Sequence, residues 1–342
     1  MNILTIDGVT GTSEIMINSS MSLAAELLRE ERVVIITDEN VRAIYNDGFP
    51  KGDVITIGTG EGIKTLRTME DIYRKLSDLE IDRSGFILGI GGGIVCDITG
   101  FAASTYMRGV RFGFVASTLL AQADASVGGK NGVNLNGHKN MVGVFNQPRF
   151  VICDHDMLKT LPERELKNGF AEIIKHALIG DRDLFNFLNH NHKKAAELDP
   201  DTMEKILLAS LSLKSEIVRM DETEKGERRK LNFGHTLAHA FEKTTGMNHG
   251  EAVAAGMRIA SKLSVRMSAL PAAEEKKIHE LMKKFDLNPA PDIPCSELKN
   301  AVRKDKKRDG EMIYFILLKN IGEAVIEKIP LTVLEGVIDD MC

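Results

Sequence analysis

The residues best equipped for chemistry lie between Asn232 and Glu251, in the stretch NFGHTLAHAFEKTTGMNHGE. His235 and His239 are spaced so that, on a helix, both imidazoles fall on one face. Gly234 permits an abrupt turn into that helix, and Asn232 is a candidate for its cap. A third histidine, His249, stands before Gly250 and Glu251 at the mouth of another apolar helical run, AVAAGMRIASKL. Two imidazoles presented from neighbouring helix starts suit a divalent ion such as zinc, which takes histidine nitrogen and carboxylate oxygen. The same spacing also fits ordinary helix histidines making local hydrogen bonds, so both readings stand at this point.

Upstream, PERELKNGFAEIIKHALIGD places Glu172, Lys175 and His176 on one helix face. Glu172 sits in the apolar run GFAEII, where a carboxylate needs a partner. A metal or a salt bridge would satisfy it. Lys214 lies within another apolar helical run, followed by a charged segment that ends at Arg228 and Arg229. Such charge runs usually form solvated faces.

The elements that must position these groups fall into two halves. The first alternates short apolar runs with helical ones, the pattern of an α/β unit with a largely parallel sheet. RVVIITDEN, DVITIGTGEG, GFILGIGGG and RFGFVAS read as strands, and IKTLRTMEDIYRKLSDL and IVCDITGFAASTYM as helices. In open sheets of this kind ligands bind beyond the carboxyl ends of the strands. Asp38, Asn40, Glu61, Lys64, the glycines and Ser117-Thr118 all fall at such ends. The run Gly89 to Gly93 misses the dinucleotide fingerprint, because Ile94 stands where the third glycine belongs. It remains either a variant nucleotide loop or a plain strand-to-helix turn, with Asp97 as a helix-start carboxylate or a cofactor contact.

Between Thr118 and Gly143, Lys130 follows two glycines and Lys139-Asn140 follow Gly137-His138. Lysines and asparagines beside glycines describe an anion-binding loop, or else solvated loop lysines. From about residue 160 the periodicity turns helical as far as the proline-rich break NPAPDIPC, so the domains are expected at 1–160 and 161–342. A basic loop, RKDKKRDG, then feeds a hairpin of MIYFILL, KNIG and EAVIEKI.

Composition narrows the function. A length of 342 residues supports two domains with cores of their own. The formal charge of -5 argues against a nucleic-acid partner, so any anion has to be met locally. Cys96, Cys153, Cys295 and Cys342 are scattered without a CxxC pair, which favours reduced thiols in a cytoplasm. The start, MNILTIDGVTG, lacks the flank and core of a secretory signal, and no apolar run suits a membrane span. A cytoplasmic protein with no membrane partner is the expectation.

Taken together, these segments resemble the 3-dehydroquinate synthase family of sugar-phosphate cyclases. The resemblance runs from TDEN through GIKTL, GGGIVCD, GFAASTYMRG, STLLAQADASVGGKNGVN, GHKNMVGVFNQP, LKTLPERELKNGFAEIIKH, LNFGHTLAHAFE and HGEAVAAGM to DKKRDG. It implies an NAD-binding, Rossmann-like α/β domain, a mostly α-helical second domain, and a site in the cleft between them. It puts the ligands of a divalent metal, zinc or cobalt, on Glu172, His235 and His249. NAD contacts would fall on Asp38, Asn40, Glu61, Lys64, Gly92 and Gly93, and further on Asp97, Ser117, Thr118, Lys139 and Thr160. Substrate contacts would fall on Asp124, Lys130, Asn140, Lys175 and Lys214, then Arg228, Asn232, His239 and a lysine of Lys306-Lys307. Arg108 would reach the phosphate site of a neighbouring subunit in a homodimer.

The implied reaction converts 3-deoxy-D-arabino-heptulosonate 7-phosphate to 3-dehydroquinate and phosphate. It passes through transient oxidation by NAD, phosphate elimination, re-reduction and intramolecular aldol closure. A carboxylate and a phosphate on one substrate explain so many lysines in an acidic chain. The chain departs from the usual pattern at Asn131, at Ala116-Ser117, at Cys96 and in a shortened loop, TTGMN, and His176 is an unusual neighbour for Glu172. Three rivals are a sister cyclase such as 2-deoxy-scyllo-inosose synthase, a metal-dependent polyol dehydrogenase on the same architecture, and an inactive NAD-binding protein. The VGGK segment and Asp97 favour the dehydroquinate enzymes over the sister cyclase.

Overall fold

A computed structural model describes residues 2–267, 269–287, 294–303 and 308–340, leaving aside the side chains of 243, 244, 301, 308 and 309. Lys306 and Lys307 and most of NPAPDIPC therefore lie outside the described residues. The chain forms two compact units, Met1–Pro162 with Lys214–Glu222, and Glu163–Leu213 with Thr223–Cys342. The return of Lys214–Glu222 to the first unit has no counterpart in the linear hydrophobic pattern.

The first unit is a seven-stranded sheet with helices. In chain order it runs β1 (Asn2–Gly8), β2 (Gly11–Ile17), α1 (Leu23–Leu27), β3 (Val33–Asp38), α2 (Glu39–Tyr45) and β4 (Asp53–Ile57). It continues with α3 (Leu66–Asp78), β5 (Phe86–Gly91), α4 (Gly93–Thr105) and β6 (Arg111–Ala116). A separate antiparallel ribbon follows, β7 (Lys130–Leu135) with β8 (His138–Phe145), and then β9 (Phe150–Cys153) returns to the sheet. The strand order is β1-β2-β9-β6-β5-β3-β4, parallel except for the β1–β2 pair. Parallel strands covered on both faces are apolar throughout, which is why β5 is buried at every position. The core on one face joins Val33, Ile35, Leu88, Ile90, Val115 and Ile152 to Met21 and Met157.

Two expectations need correction here. The stretch after Thr118 is no loop: Ala121–Ala125 forms a single π-type turn, and Lys130 and Asn140 belong to the β7–β8 ribbon. Asn131 locks the start of that ribbon, its Nδ2 donating to the carbonyls of Gly129 and Asn146, each at 2.9 Å. Strands β1, β2 and β9 escaped the strand reading, because the first two alternate weakly at a sheet edge and β9 is only four residues long.

The second unit is mostly helical, with α5 (Glu163–Gly180), α6 (Arg182–Ala196) and α7 (Pro200–Met220), whose residues from Lys214 onward count with the first unit. It continues with α8 (His235–Thr245), α9 (His249–Arg266), α10 (Ala272–Lys284) and α11 (Cys295–Arg303). A small sheet follows, β10 (Arg308–Asp309), β11 (Met312–Asn320) and β12 (Glu323–Pro330), and then α12 (Leu331–Asp339). The foreseen hairpin is β11–β12. Cys96 and Cys153 are free, buried thiols, but Cys295 is disulfide-bonded, contrary to the expectation of reduced thiols throughout. Among the described residues, no helix is long and apolar enough to cross a membrane.

Candidate metal and nucleotide sites

In the helical unit, His235 and His249 are each the first residue of a helix, as the sequence suggests. The cap of α8 is Gly234 and not Asn232; at φ 80° it adopts a left-handed backbone that a side chain disfavours. Asn232 instead closes a short 3-10 turn, Glu227–Asn232, and donates a hydrogen bond to Glu224. Helix α9 begins at a capping box, with the Asn248 side chain accepting from Glu251 N and the Glu251 carboxylate accepting from Asn248 N.

Glycines bring these helix starts together. A Cβ on Gly256 would lie 2.0 Å from the Gly234 carbonyl oxygen, so α9 can approach the head of α8 only because that position is bare. A Cβ on Gly250 would meet Asn168 Cα at 2.4 Å, and Gly250 N donates to Asn168 Oδ1 at 2.8 Å. Asn168 lies one turn before Glu172 on α5, on the same helix face. The contact that anchors α9 to α5 therefore also brings His249 to Glu172.

The result is a carboxylate facing two imidazoles. Glu172 Oε1 lies 3.3 Å from His249 Nε2 and 3.7 Å from His235 Nε2, and its side chain is fully buried. Two ligands about 2.1 Å from a tetrahedral zinc stand ~3.4 Å apart, so the donors are already spaced for an ion. All three donor atoms lie within 4.8 Å of one another. The buried Lys175 amine donates to Glu172 Oε2, leaving Oε1 toward the imidazoles. His176 turns its Nδ1 to Ser210 Oγ at 2.7 Å. His239, exposed one turn beyond His235, has its ring centroid 6.2 Å from that of His235.

Burial holds the His235 imidazole well below its ordinary value, so it is neutral and its nitrogen is available to a metal. Burial would lower His249 too, but hydrogen bonds to Glu172 and Glu242 outweigh it and raise this imidazole to about 9. A buried carboxylate facing two imidazoles is a donor set that fits a divalent metal.

The α/β unit carries the second constellation. The chain passes from β3 outward to β4 and then crosses back to β5, so a switch point lies between the carboxyl ends of β3 and β5. Asp38 ends β3 and caps α2 by accepting from Val41 N at 2.9 Å, with Asn40 exposed as the second residue of that helix. Gly91 ends β5, and Gly92 caps α4 with no side-chain hydrogen bond, leaving the first amides of that helix open to an anion. A Cβ on Gly92 would meet Thr118 Cγ2 at 3.0 Å, and one on Gly93 would meet Ala125 at 2.9 Å. This bare cradle at a helix start fits a pyrophosphate.

Around the cradle, the Lys64 amine donates to Asp97 and, at 2.6 Å, to Asn140 Oδ1. Burial raises the Asp97 carboxyl, with Lys64 pulling it back down. Asn134 Nδ2 donates to Glu61 at 2.7 Å, and Ser117 N donates to the Gly91 carbonyl at 2.9 Å. Thr160 Oγ1 pairs with the Tyr45 hydroxyl at 2.6 Å. Asp124, on the π-type turn, receives the Lys214 amine at 2.6 Å. Lys130 and Lys139 are exposed on the ribbon. Arg108 is exposed as well, and it follows Met107 through two successive left-handed backbones, φ 49° and 67°.

Each group is assembled within its own unit: the metal trio with Lys175, the Lys64–Asp97–Asn140 cluster, and the Lys214–Asp124 pair. Glu242, Glu224 and Asn168 went unremarked in the sequence. The first was discoverable, since it lies two helical turns from His235; nothing in the charged segment singles out Glu224.

Fold and donor set together define a class, the dehydroquinate synthase-like proteins with a parallel α/β sheet and a helix-rich remainder. A solved structure of 2-deoxy-scyllo-inosose synthase, complexed with carbaglucose-6-phosphate, NAD+ and Co2+, shares the fold with a TM-score of 0.87. It is 24% identical and covers 99% of this chain and 100% of its own. Residues 54–168 match the family described as 3-dehydroquinate synthase N-terminal, and residues 169–308 the one described as 3-dehydroquinate synthase C-terminal. The 3-dehydroquinate synthase of Halorhodospira halophila is 41% identical over 310 residues, 88% of each chain. That of Campylobacter concisus is 43% identical over 278 residues, covering 80% of this chain and 79% of its own. The chain belongs to the 3-dehydroquinate synthase family.

Proposed function

We propose that the protein converts 3-deoxy-D-arabino-heptulosonate 7-phosphate to 3-dehydroquinate and inorganic phosphate, a step of aromatic amino acid biosynthesis. The observation that carries this reading is the approach of His235 and His249 to the buried Glu172 in a chain of this family. Glu172, His235 and His249 would hold the divalent cation, zinc or cobalt. Gly92 and Gly93 would admit the pyrophosphate of NAD, with Asp38, Asn40, Glu61, Lys64, Asp97, Ser117, Thr118, Lys139 and Thr160 around it. When bound, the NAD supplies reversible removal of hydride at a carbinol carbon, and the cation supplies Lewis acidity at the neighbouring oxygen.

The chain's own groups bind and orient. Lys130, Lys175, Lys214 and Arg228 offer the cationic hydrogen bonds that a carboxylate and a phosphate demand in an acidic protein. Lys214 is held in place by Asp124, and Lys175 by Glu172. Asn232, braced by Glu224, hydrogen-bonds substrate hydroxyls together with His239 and Asn140. The substrate's phosphate takes up the proton released next to the transient ketone, so no further base is required. Holding a flexible sugar acid in its reactive shape, away from water, is the protein's main contribution. Arg108, exposed on a strained turn beside the exposed Met107, reaches the phosphate site of a second subunit in a homodimer that works in the cytoplasm.

The test is phosphate release from the heptulosonate phosphate, with dehydroquinate identified as product. Release has to require both NAD+ and a metal, stop on chelation and leave no NADH behind. Steady accumulation of NADH with polyols, or release of phosphate from glucose 6-phosphate alone, would overturn the reading.

A further inference from the structure

Helix α8 carries two groups of the metal site, though the sequence advertises one. His235 opens the helix, and Glu242 lies two turns later on the same face. The Glu242 carboxylate, 8% exposed, sits 3.0 Å from His249 Nδ1, while the opposite nitrogen of that ring, Nε2, faces Glu172. The short connection Gly246 to Asn248 returns the chain from α8 to α9, which brings the first residue of α9 back to the last turns of α8.

We infer that Glu242 is a positioning residue for the metal site. It takes the Nδ1 proton of His249 in a hydrogen bond, fixes the tautomer in which Nε2 carries the lone pair, and holds the ring toward the Glu172–His235 pair. An imidazole ligand without such a partner is free to rotate and to place its proton on the nitrogen that must bind. The carboxylate also adds negative charge beside a dication, making the ligand nitrogen more basic. The inference rests on the metal reading of Glu172, His235 and His249.

The test uses the full-length protein stripped of metal and titrated with Co2+ alone, following heat and the visible spectrum of the bound ion. Glu242→Ala is expected to weaken Co2+ binding about 10–100-fold and to change the spectrum. Glu242→Gln, which keeps a hydrogen-bond acceptor without the charge, should fall between Glu242→Ala and the parent, and it serves if the alanine variant does not fold. Parent-like affinity and spectrum in both variants overturn the inference. His249→Ala separates the two levels: if it binds Co2+ as tightly as the parent, the metal reading itself fails, whatever Glu242 does.

Discussion

Gly256 faces Gly234 so closely that a Cβ on the former would lie 2.0 Å from the latter's carbonyl oxygen. The opposing atom belongs to the backbone, so it cannot swing aside as the end of a side chain could. Gly256→Ala should push α9 from the head of α8, costing about 1–3 kcal/mol by overpacking. Displacing the two imidazoles from each other should also weaken metal binding at least about tenfold, a loss comparable to removing a ligand's support. Thermal unfolding and Co2+ titration of the same variant read the two effects.

Glu172 and Lys175 are a buried ion pair as well as part of the site. Glu172→Gln should abolish metal binding and, by removing the buried carboxylate that pairs with the Lys175 ammonium, cost about 3–5 kcal/mol of stability. The double variant with Lys175→Met should recover most of that stability without recovering metal. Urea unfolding of the single and double variants checks this; equal stability would mean that the lysine is compensated by another group.

Much of this arrangement was legible in the sequence, and what escaped shares a cause. The strands that end at Asp38 and Gly91 are continuous apolar runs bounded by polar or glycine residues, and the helix starts at His235 and His249 follow a glycine and an Asn–Glu capping pair. Local pattern suffices for such features. The approach of Gly256 to Gly234 and the clasp of Gly250 by Asn168 depend on distant segments, and no periodicity records them. The cap assigned to Asn232 was wrong because a short 3-10 turn ends there, and the left-handed Gly234 makes the entry into α8 on its own. Family resemblance, not spacing, singled out Glu172 as the third ligand.

The nucleotide cradle predicts a separable defect. Gly92→Val would press a branched side chain onto Thr118 and over the open amides at the head of α4. NAD+ affinity should fall at least about tenfold, equivalent to about 1.4 kcal/mol, while Co2+ binding stays at the parent level. Calorimetric titration with each ligand checks it; parallel losses would mean general unfolding.

Away from the site, Glu274 in the first turn of α10 gives a pH-dependent contribution. A hydrogen bond from Lys277, helped by one from Arg182, holds its carboxyl below the ordinary value of 4.5. A depressed carboxyl stabilises the fold fully above its unfolded value and loses that contribution as pH falls through its folded value. Glu274→Gln should therefore cost ~0.2–1 kcal/mol at neutral pH and nothing once the pH is well below 4.5, leaving turnover unchanged. Stability curves of the two proteins that stay parallel down to strong acid would contradict this.

The most direct measurement is anomalous diffraction from crystals of the protein loaded with zinc, recorded at the zinc absorption edge. One peak within coordination distance of Glu172, His235 and His249, lost in His249→Ala, is the predicted result. A fully active protein whose zinc peak lies away from these three side chains would contradict it.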